Sequence, residues 1–259
     1  MPFFLDHIII AVRDLQQAMA HYRQHDFTVT YGGVHASGTT HNALIVFKDG
    51  TYLELMATTG EEKDPDNEAA DYRDLIKGKT GIVGYAVASR NLEHDLNAIR
   101  ERGIDMPEPE YGSRLRADGV RLEWITAMHP EHVSPFFIED RTPRERRIPR
   151  EESPLTHANG VQGIGGLMFD SPNAWRMAEY YETLLGVDAE RTEKNALLFV
   201  EQIPLYIRTV PARDTAPVIV PPSRVDLVTA GSMYVGREVR TENGKLVIRL
   251  IGLNDTGTM

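Results

Sequence analysis

A pattern of one strand, one helix and further strands occurs three times in this chain of 259 residues, and it limits the fold more than any other feature. The copies begin at Leu5, at Gly81 and near Gly160. Each copy opens with an apolar run that is typical of a buried strand, and it continues with apolar residues at helical spacing. An internal repeat of this kind indicates structural modules that pack against one another. We therefore predict an α+β fold built from βαβββ modules.

Each predicted helix begins with a residue that is suited to an N-cap. Asp14 and Asn91 precede the first two helices, and Ser171-Pro172 predicts the start of the third because Pro is favoured at the first helical position. After the first two caps, apolar residues recur at i, i+4 and i+7, so they share one helical face that can cover a sheet. Gly186 is typical of the end of the third helix.

The first copy carries two ionisable residues, His7 and Glu54, inside otherwise apolar strands. Strand side chains alternate in direction, and the helix is expected to cover the aliphatic faces, so both residues should project from the uncovered side. We expect the strands at residues 5–12 and 51–57 to lie side by side, with both side chains in one cavity. An imidazole and a carboxylate are suited to a divalent metal, although the two could also form an ion pair without a metal.

The second copy retains this pair only in part. When the helix caps are aligned, Gly84 takes the place of His7, and when the closing strands are aligned, Glu139 takes the place of Glu54. The third copy retains neither residue. We expect residues 81–88 to superpose on residues 5–12 and to share their cavity, so that Glu139 becomes a third candidate for metal binding.

A family resemblance is carried by an ordered set of segments. LDHIIIAVRDL, GGVHASGTTHNALI and GTYLEL stand in the first copy, and SRLRADG, LEW and SPFFIED follow in the second. In this set the chain resembles the glyoxalase-like branch of the vicinal oxygen chelate superfamily. The resemblance implies two paired βαβββ modules that form an open cup-shaped barrel, with a further related C-terminal module. It also implies a divalent metal ion (Zn, Ni, Mn or Fe) that chelates adjacent oxygens of a small molecule in the cup.

The resemblance assigns expected roles to the candidate residues. The metal ligands would be His7 and Glu54, and Glu139 would be a further metal ligand or the general base. The activity would be that of a metal-dependent lyase, isomerase or dioxygenase acting on a small oxygen-rich molecule. Family members with a full set of ligands usually have His or Gln where this chain has Gly84. That difference favours the alternative of a metal-free protein of the sequestration or resistance type, which binds a small molecule without turnover.

Five further residues are candidates for contacts with the substrate. His35 and His41 lie in a polar loop, where histidines are often simply solvated. Arg114 and Arg116 could bind a carboxylate, because guanidinium matches it with paired hydrogen bonds, or they could point outward from a hairpin. Trp124 could form a stacking wall for the substrate or pack in the core.

The domain organisation follows from the repeats and from one charged run. Residues 1–142 are expected to form the glyoxalase-like domain of two modules, and residues 157–259 a C-terminal module that ends in a hairpin turning at Asn243-Gly244. Between them, residues 143–156 form a predicted linker. The run DRTPRERRIPREE that leads into it is expected to be a solvated connection.

Composition limits the partners of the chain. A net charge of −10 argues against a nucleic-acid-binding surface. The absence of cysteine excludes disulfides and a thiolate nucleophile, and it fits a reducing cytoplasm. The N-terminus does not resemble a signal peptide, no apolar run is long enough to cross a membrane, and no dinucleotide, P-loop or serine-hydrolase motif occurs. The expected partner is a small-molecule substrate, and the chain could form a homodimer.

Overall fold

The computed structural model describes residues 3–116, 118–131, 135–148, 152–211, 216–241 and 244–255. Within these residues the chain forms two β-sheets with helices between their strands. The strands of the first sheet are β1 (Phe4–Ala11), β2 (Thr30–Val34), β3 (Thr40–Val46), β4 (Tyr52–Thr58), β5 (Gly81–Ala88), β6 (Glu110–Leu115), β7 (Arg121–Ala127) and β8 (Phe136–Asp140). Those of the second are β9 (Val161–Ser171), β10 (Glu190–Arg191), β11 (Asn195–Val200), β12 (Ile203–Thr209), β13 (Arg224–Thr229), β14 (Glu238–Arg240) and β15 (Leu246–Gly252). The helices are α1 (Leu15–Gln24), α2 (Arg73–Ile76), α3 (Leu92–Glu101), α4 (Arg144–Arg147), α5 (Glu152–Leu155) and α6 (Ala174–Leu185), with a 3₁₀ turn at Ser232–Tyr234.

The first sheet joins two βαβββ modules in one surface. Its strand order is β2-β3-β4-β1-β5-β8-β7-β6, with β1 and β5 antiparallel at the centre. Each central strand also pairs in parallel with the last strand of its own module, β1 with β4 and β5 with β8. A bridge between His35 and Arg114 links the two ends, so the sheet is nearly closed. The prediction that the two modules share one cup is therefore confirmed.

Two of the three N-caps predicted from the sequence are confirmed. The side chains of Asp14 and Asn91 accept hydrogen bonds from the backbone N–H groups of α1 and α3. The prediction for α6 is wrong by two residues, because its N-cap is Asn173. Ser171 is instead the last residue of β9, and its hydroxyl accepts a hydrogen bond from the Asn173 N–H and donates one to the Val218 carbonyl.

The second sheet repeats the layout of the first with fewer residues. Its order is β10-β11-β12-β9-β13-β15-β14, again with two antiparallel strands near the centre and a parallel partner beside each. The third copy of the pattern supplies β9 to β12. The segment after it forms a reduced fourth module rather than a hairpin alone, and it lacks the helix whose periodicity would have revealed it. β14 and β15 pair antiparallel as expected, and Asn243 of the predicted turn lies outside the described residues.

The two sheets share one apolar core. The buried faces of α1, α3 and α6 belong to this core together with residues from both sheets. Contact between the halves is direct, since the Tyr85 and Phe169 rings lie 5.9 Å apart. A separate apolar cluster lines the concave face of the first sheet, on the side away from α1 and α3, and it includes Leu75 and Ile76 of α2. In the described part of the chain, no helix has both the length and the apolar character needed to span a membrane.

The segment that follows β8 is not a solvated connection, contrary to the prediction. Arg147 at the end of α4 is only 5% exposed and forms ion pairs with Asp6 and Asp140. The next residue, Ile148, packs in a small apolar cluster with Val46 and Tyr52. The charge of the segment suggested solvation because Asp6, the fully buried partner of Arg147, lies far away in sequence.

We expect Arg147→Met to lower the free energy of unfolding by about 3–5 kcal/mol, because it leaves two carboxylates without their main counter-charge, one of them fully buried. The measurement is urea unfolding at pH 7. As a matched control, Arg208→Met removes an exposed ion pair with Asp170 and should cost at most about 1 kcal/mol. Equal losses in the two variants would contradict a structural role for the buried pairs.

Candidate binding site in the first cup

The concave face of the first sheet lines a cavity with a volume of about 30 Å³. Its walls are largely apolar and aromatic, and a small group of polar side chains converges on its interior. This combination is typical of a small-molecule site. The polar groups with charge or amide character are His7, His35, Asn42, Glu54, Arg114 and Arg147.

His7 and Glu54 reach the cup because their strands are neighbours in parallel register. Glu54 pairs with Ile9, two residues after His7, and side chains two apart share a face. The His7 Nε2 lies 3.2 Å from the Glu54 Oε2, yet the angle between them makes no hydrogen bond. The expectation that both side chains face one cavity is confirmed.

Asp6 stands beside His7 because of an irregularity in the strand. The pairing of β1 with β5 slips between Leu5 and His7, so Asp6 is an extra residue that no partner opposes. A bulge of this kind redirects a side chain that simple alternation would send to the other face. The fully buried Asp6 carboxylate accepts a hydrogen bond from His7 Nδ1 at 2.7 Å on its Oδ1, and Arg147 donates to both of its oxygens at 2.9 and 3.0 Å.

These contacts set the charges of the three groups. Burial lowers the pKa of His7, but hydrogen bonds and charges from Asp6 and Glu54 outweigh burial, so the pKa is raised and the imidazolium is favoured. Burial raises the pKa of Asp6, but the Arg147 charge and the hydrogen bonds from His7 and Arg147 hold it well below its usual range. Charges therefore alternate along the line of Arg147, Asp6, His7 and Glu54.

Glu54 is held as a carboxylate by several donors. Burial raises its pKa, but contacts with His35 and His7 bring it well below the ordinary value. Asn42 also donates from Nδ2 to the Glu54 Oε1 at 2.6 Å, and His35 Nε2 lies 3.5 Å from the same oxygen. The other nitrogen of His35 contacts the Thr40 hydroxyl at 2.8 Å, which fixes the orientation of the ring.

Arg114 enters the cup over a glycine. A Cβ at Gly32 would lie 2.7 Å from the Arg114 Nη1 and 2.0 Å from the Asn42 Oδ1, so only glycine leaves both side chains in place. The guanidinium donates to the Gly32 carbonyl and is 4% exposed. Burial lowers its pKa, and the Glu54 charge opposes that effect. Among the described residues, no carboxylate lies within ion-pair distance of Arg114.

Glu139 is not in the cup, so its expected roles as metal ligand and general base are not supported. In β8 the side chains of Phe136 and Ile138 line the cavity, which places Glu139 on the opposite face. Its Oε2 accepts a hydrogen bond from the Leu92 N–H at 2.7 Å. This N–H opens α3, and a carboxylate is stabilised at a helix N-terminus. Glu54 pairs with Ile9, two residues after His7, and Phe136 pairs with Ala86, two residues after Gly84, so Phe136 and not Glu139 takes the place of Glu54. The predicted alignment is therefore shifted by three residues, and a shift by an odd number exchanges the faces.

Two of the five candidates for substrate contact also lie outside the cup. His41 occupies the helix-facing side of β3, between cup-facing Thr40 and Asn42, and its ring packs near Tyr31. Arg116 lies beyond the end of β6, where it pairs with Asp118 and donates to the Arg146 carbonyl.

The remaining three, His35, Arg114 and Trp124, line the cavity. Trp124 donates from its indole N–H to the Tyr72 hydroxyl at 3.0 Å, which makes it a fixed wall. Their contact with a substrate stays a prediction. Sequence reasoning missed Asp6, Asn42 and Arg147. The sequence signal for a role of Asp6 was its position as a charged residue directly before His7.

The residues of the cup do not complete a metal site. His7 and Glu54 supply the two donor types that the family resemblance implies, but Gly84 stands at the next ligand position. In the part of the chain that the structure describes, no group of three or more His, Asp or Glu residues is arranged to hold a metal ion. Protein metal sites usually have at least three protein ligands. The donor set therefore does not fit a resident metal without a further ligand.

The fold and the cup define a protein of the vicinal oxygen chelate class, and sequence comparison agrees. Residues 5–185 match the model of a family described as glyoxalase-like domain, so the chain belongs to that family. Comparison with curated proteins gives no match.

Three solved structures share the fold at low identity. A hypothetical protein from Staphylococcus aureus has a TM-score of 0.76 at 15% identity, covering 97% of this chain and 100% of its own. A Mn(II)-bound glyoxalase from Novosphingobium aromaticivorans has a TM-score of 0.52 at 12% identity, covering 96% and 81%. A 2,3-dioxygenase from a Pseudomonas species has a TM-score of 0.55 at 10% identity, covering 96% and 91%. Identities this low establish a common fold and no common activity.

We expect Asp6→Asn to lower the pKa of His7, because the substitution removes the negative charge that favours the imidazolium. The pKa can be followed by NMR titration of the imidazole carbons. The wild-type contribution of His7 to stability should be fully present below its unfolded pKa of about 6.5 and should fade as pH rises through the higher folded value. Asp66→Asn, in an exposed loop, should change neither quantity. An unchanged His7 titration in Asp6→Asn would contradict the alternating charges.

Proposed function

We propose that the first cup binds a small oxygen-rich molecule directly through protein side chains, without a resident metal. The observation that carries this proposal is the buried His7 Nε2, which belongs to a residue lining the cavity and has an ion-pair contact with Glu54 at 3.2 Å but no hydrogen bond. A ligand acceptor at this position would give the nitrogen the hydrogen bond that it lacks and would thereby stabilise the site. The raised pKa of His7 favours the proton on that nitrogen.

The neighbouring groups complement this donor. Glu54 is ionised and accepts hydrogen bonds only, so it suits a ligand hydroxyl next to the oxygen that contacts His7. Arg114 brings an unpaired positive charge to the same cavity. Together they match two adjacent oxygens and one anionic group on a small molecule. When such a ligand is bound, the Glu54 carboxylate would also be placed to accept a proton from it.

The second candidate is the metal-dependent enzyme, a lyase, isomerase or dioxygenase. One observation favours it: Asp6 binds His7 Nδ1 and leaves Nε2 facing the cavity, and carboxylates hold metal-binding histidines in this way. The two readings differ in whether a divalent ion is needed for binding. They also differ in whether Glu54 contacts the ligand directly or contacts the metal ion.

The test measures ligand binding with and without a chelator. Binding is monitored by the fluorescence of Trp124 or by calorimetry. The probes are 1,2-diols, 2-hydroxy acids and 2-oxo acids of low molecular weight. We expect binding to survive excess EDTA and to fall at least about tenfold in Glu54→Gln, because a charge-assisted hydrogen bond is lost. Binding that requires added Zn, Ni, Mn or Fe would favour the second candidate. Binding of none of the probes under either condition would overturn both.

A variant designed to gain metal binding tests whether the cup lacks only one metal ligand. A Cβ at Gly84 would meet no atom within 4 Å, and this position pairs with cup-lining Ile9. We expect Gly84→His to bind Zn or Ni more tightly than the wild type, since it adds an imidazole to His7 and Glu54. Gly84→Ala is the matched control and should leave metal affinity unchanged. Metal content of chelator-free protein, measured by elemental analysis, gives the readout. Stoichiometric metal already present in the wild type would contradict the metal-free proposal.

A further inference from the structure

A second cavity opens directly outside the cup. It has a volume of about 440 Å³, against about 30 Å³ for the cup, and Arg114 and Arg147 line both cavities. We call this outer cavity the bowl and the position of these two arginines the throat. Ligand sites in proteins commonly have volumes of about 300–1,000 Å³, so the bowl has room for the body of a ligand, whereas the cup has room for only a few of its atoms.

The two arginines of the throat differ in their electrostatic state. Arg147 is neutralised by Asp6 and Asp140, and it donates to the Tyr52 hydroxyl at 2.6 Å. Arg114 has only the Gly32 carbonyl as a direct partner among the described residues. Of the two arginines at the throat, Arg114 is therefore the one without an ion pair among the described residues. A buried positive charge is stabilised by a negative partner, which a ligand could supply.

Apart from the two arginines of the throat, the described residues that line the bowl are mostly apolar or paired in charge. Tyr31, Leu44, Val46 and Pro154 contribute apolar surface to it. Two more charged residues lie at its rim, Arg116 and Asp118, and they pair with each other at 2.7 Å. The larger part of a ligand in the bowl would therefore contact apolar side chains, and a negatively charged group of the same ligand would contact Arg114 at the throat.

We propose that the natural ligand is an amphipathic monocarboxylate with an oxygen on the carbon next to the carboxylate. Its carboxylate pairs with Arg114, its adjacent oxygen faces Glu54 and His7 in the cup, and its apolar chain extends into the bowl. A carboxylate is favoured over a phosphate because one guanidinium fork matches one carboxylate and neutralises a single charge. This inference rests on the proposed function and specifies the class of molecule that the cup accepts.

The test compares four compounds in excess EDTA: lactate, 2-hydroxyhexanoate, 2-hydroxyoctanoate and octane-1,2-diol. The diol keeps the adjacent oxygens and the chain but lacks the charge. We expect affinity to rise at least about tenfold from lactate to 2-hydroxyoctanoate, because further methylene groups leave water. We expect the diol to bind about tenfold or more weakly than the acid of equal length, because it forms no ion pair.

Three variants assign these effects to residues. Arg114→Met should reduce the affinity for 2-hydroxyoctanoate to that for the diol and leave the diol unchanged. Arg208→Met, which removes an exposed ion pair in the second sheet, should alter neither. Tyr31→Ser, at a side chain that is 40% exposed, should weaken the eight-carbon acid and spare lactate. If Arg114→Met does not fold, Arg114→Lys keeps the charge without the paired donors and should show a reduced preference for acid over diol.

The outcomes separate this inference from the proposed function. An acid preference that persists in the Arg114 variants overturns the carboxylate anchor. Equal affinity for lactate and 2-hydroxyoctanoate overturns the role of the bowl. Both results leave intact any diol binding that depends on Glu54, and the proposed function stands. Conversely, if Glu54→Gln leaves every affinity unchanged, the proposed function fails even where the dependence on Arg114 persists. No binding by any of the four compounds overturns both.

Discussion

The cup depends on one fully buried carboxylate, that of Asp6. It joins the imidazole of His7 to the guanidinium of Arg147, and so it connects the first strand of the chain to the segment after β8. Charges alternate from Arg147 through Asp6 and His7 to Glu54. In a dry interior each of these groups is tolerable only because its neighbours carry the opposite sign. The orientation of His7, and therefore the chemistry of the cup, follows from this arrangement.

The two modules of the first sheet are related in fold but contribute unequal chemistry to the cup. The first module supplies the imidazole and carboxylate, and the second supplies apolar walls such as Phe136 and Ile138 together with Arg114. Gly84 leaves open space at the position equivalent to His7. A cup with polar groups on one side and apolar walls on the other binds an asymmetric ligand in a single orientation.

Membership of the glyoxalase-like family and the fold shared with three solved structures leave the chemistry of this chain open. The fold supplies a concave sheet that many activities can use, and the side chains in the cup decide among them. Here those side chains offer the Glu54 carboxylate, the protonated imidazole of His7 and the buried guanidinium of Arg114, which has no ion pair among the described residues. That set matches an anionic, oxygen-rich molecule better than it matches a resident metal ion.

The sequence by itself determined the modules, the α1 and α3 caps and the shared face of His7 and Glu54, because caps and periodicity are local signals. Only the tertiary structure decided which way several other side chains point. A shift in strand alignment placed Glu139 on the helix side, and a bulge turned Asp6 into the interior. The burial of Arg147 depends on Asp6 and Tyr52, which lie far from it in sequence. Register, bulges and contacts between distant segments are set by the assembled sheet, and local patterns do not encode them.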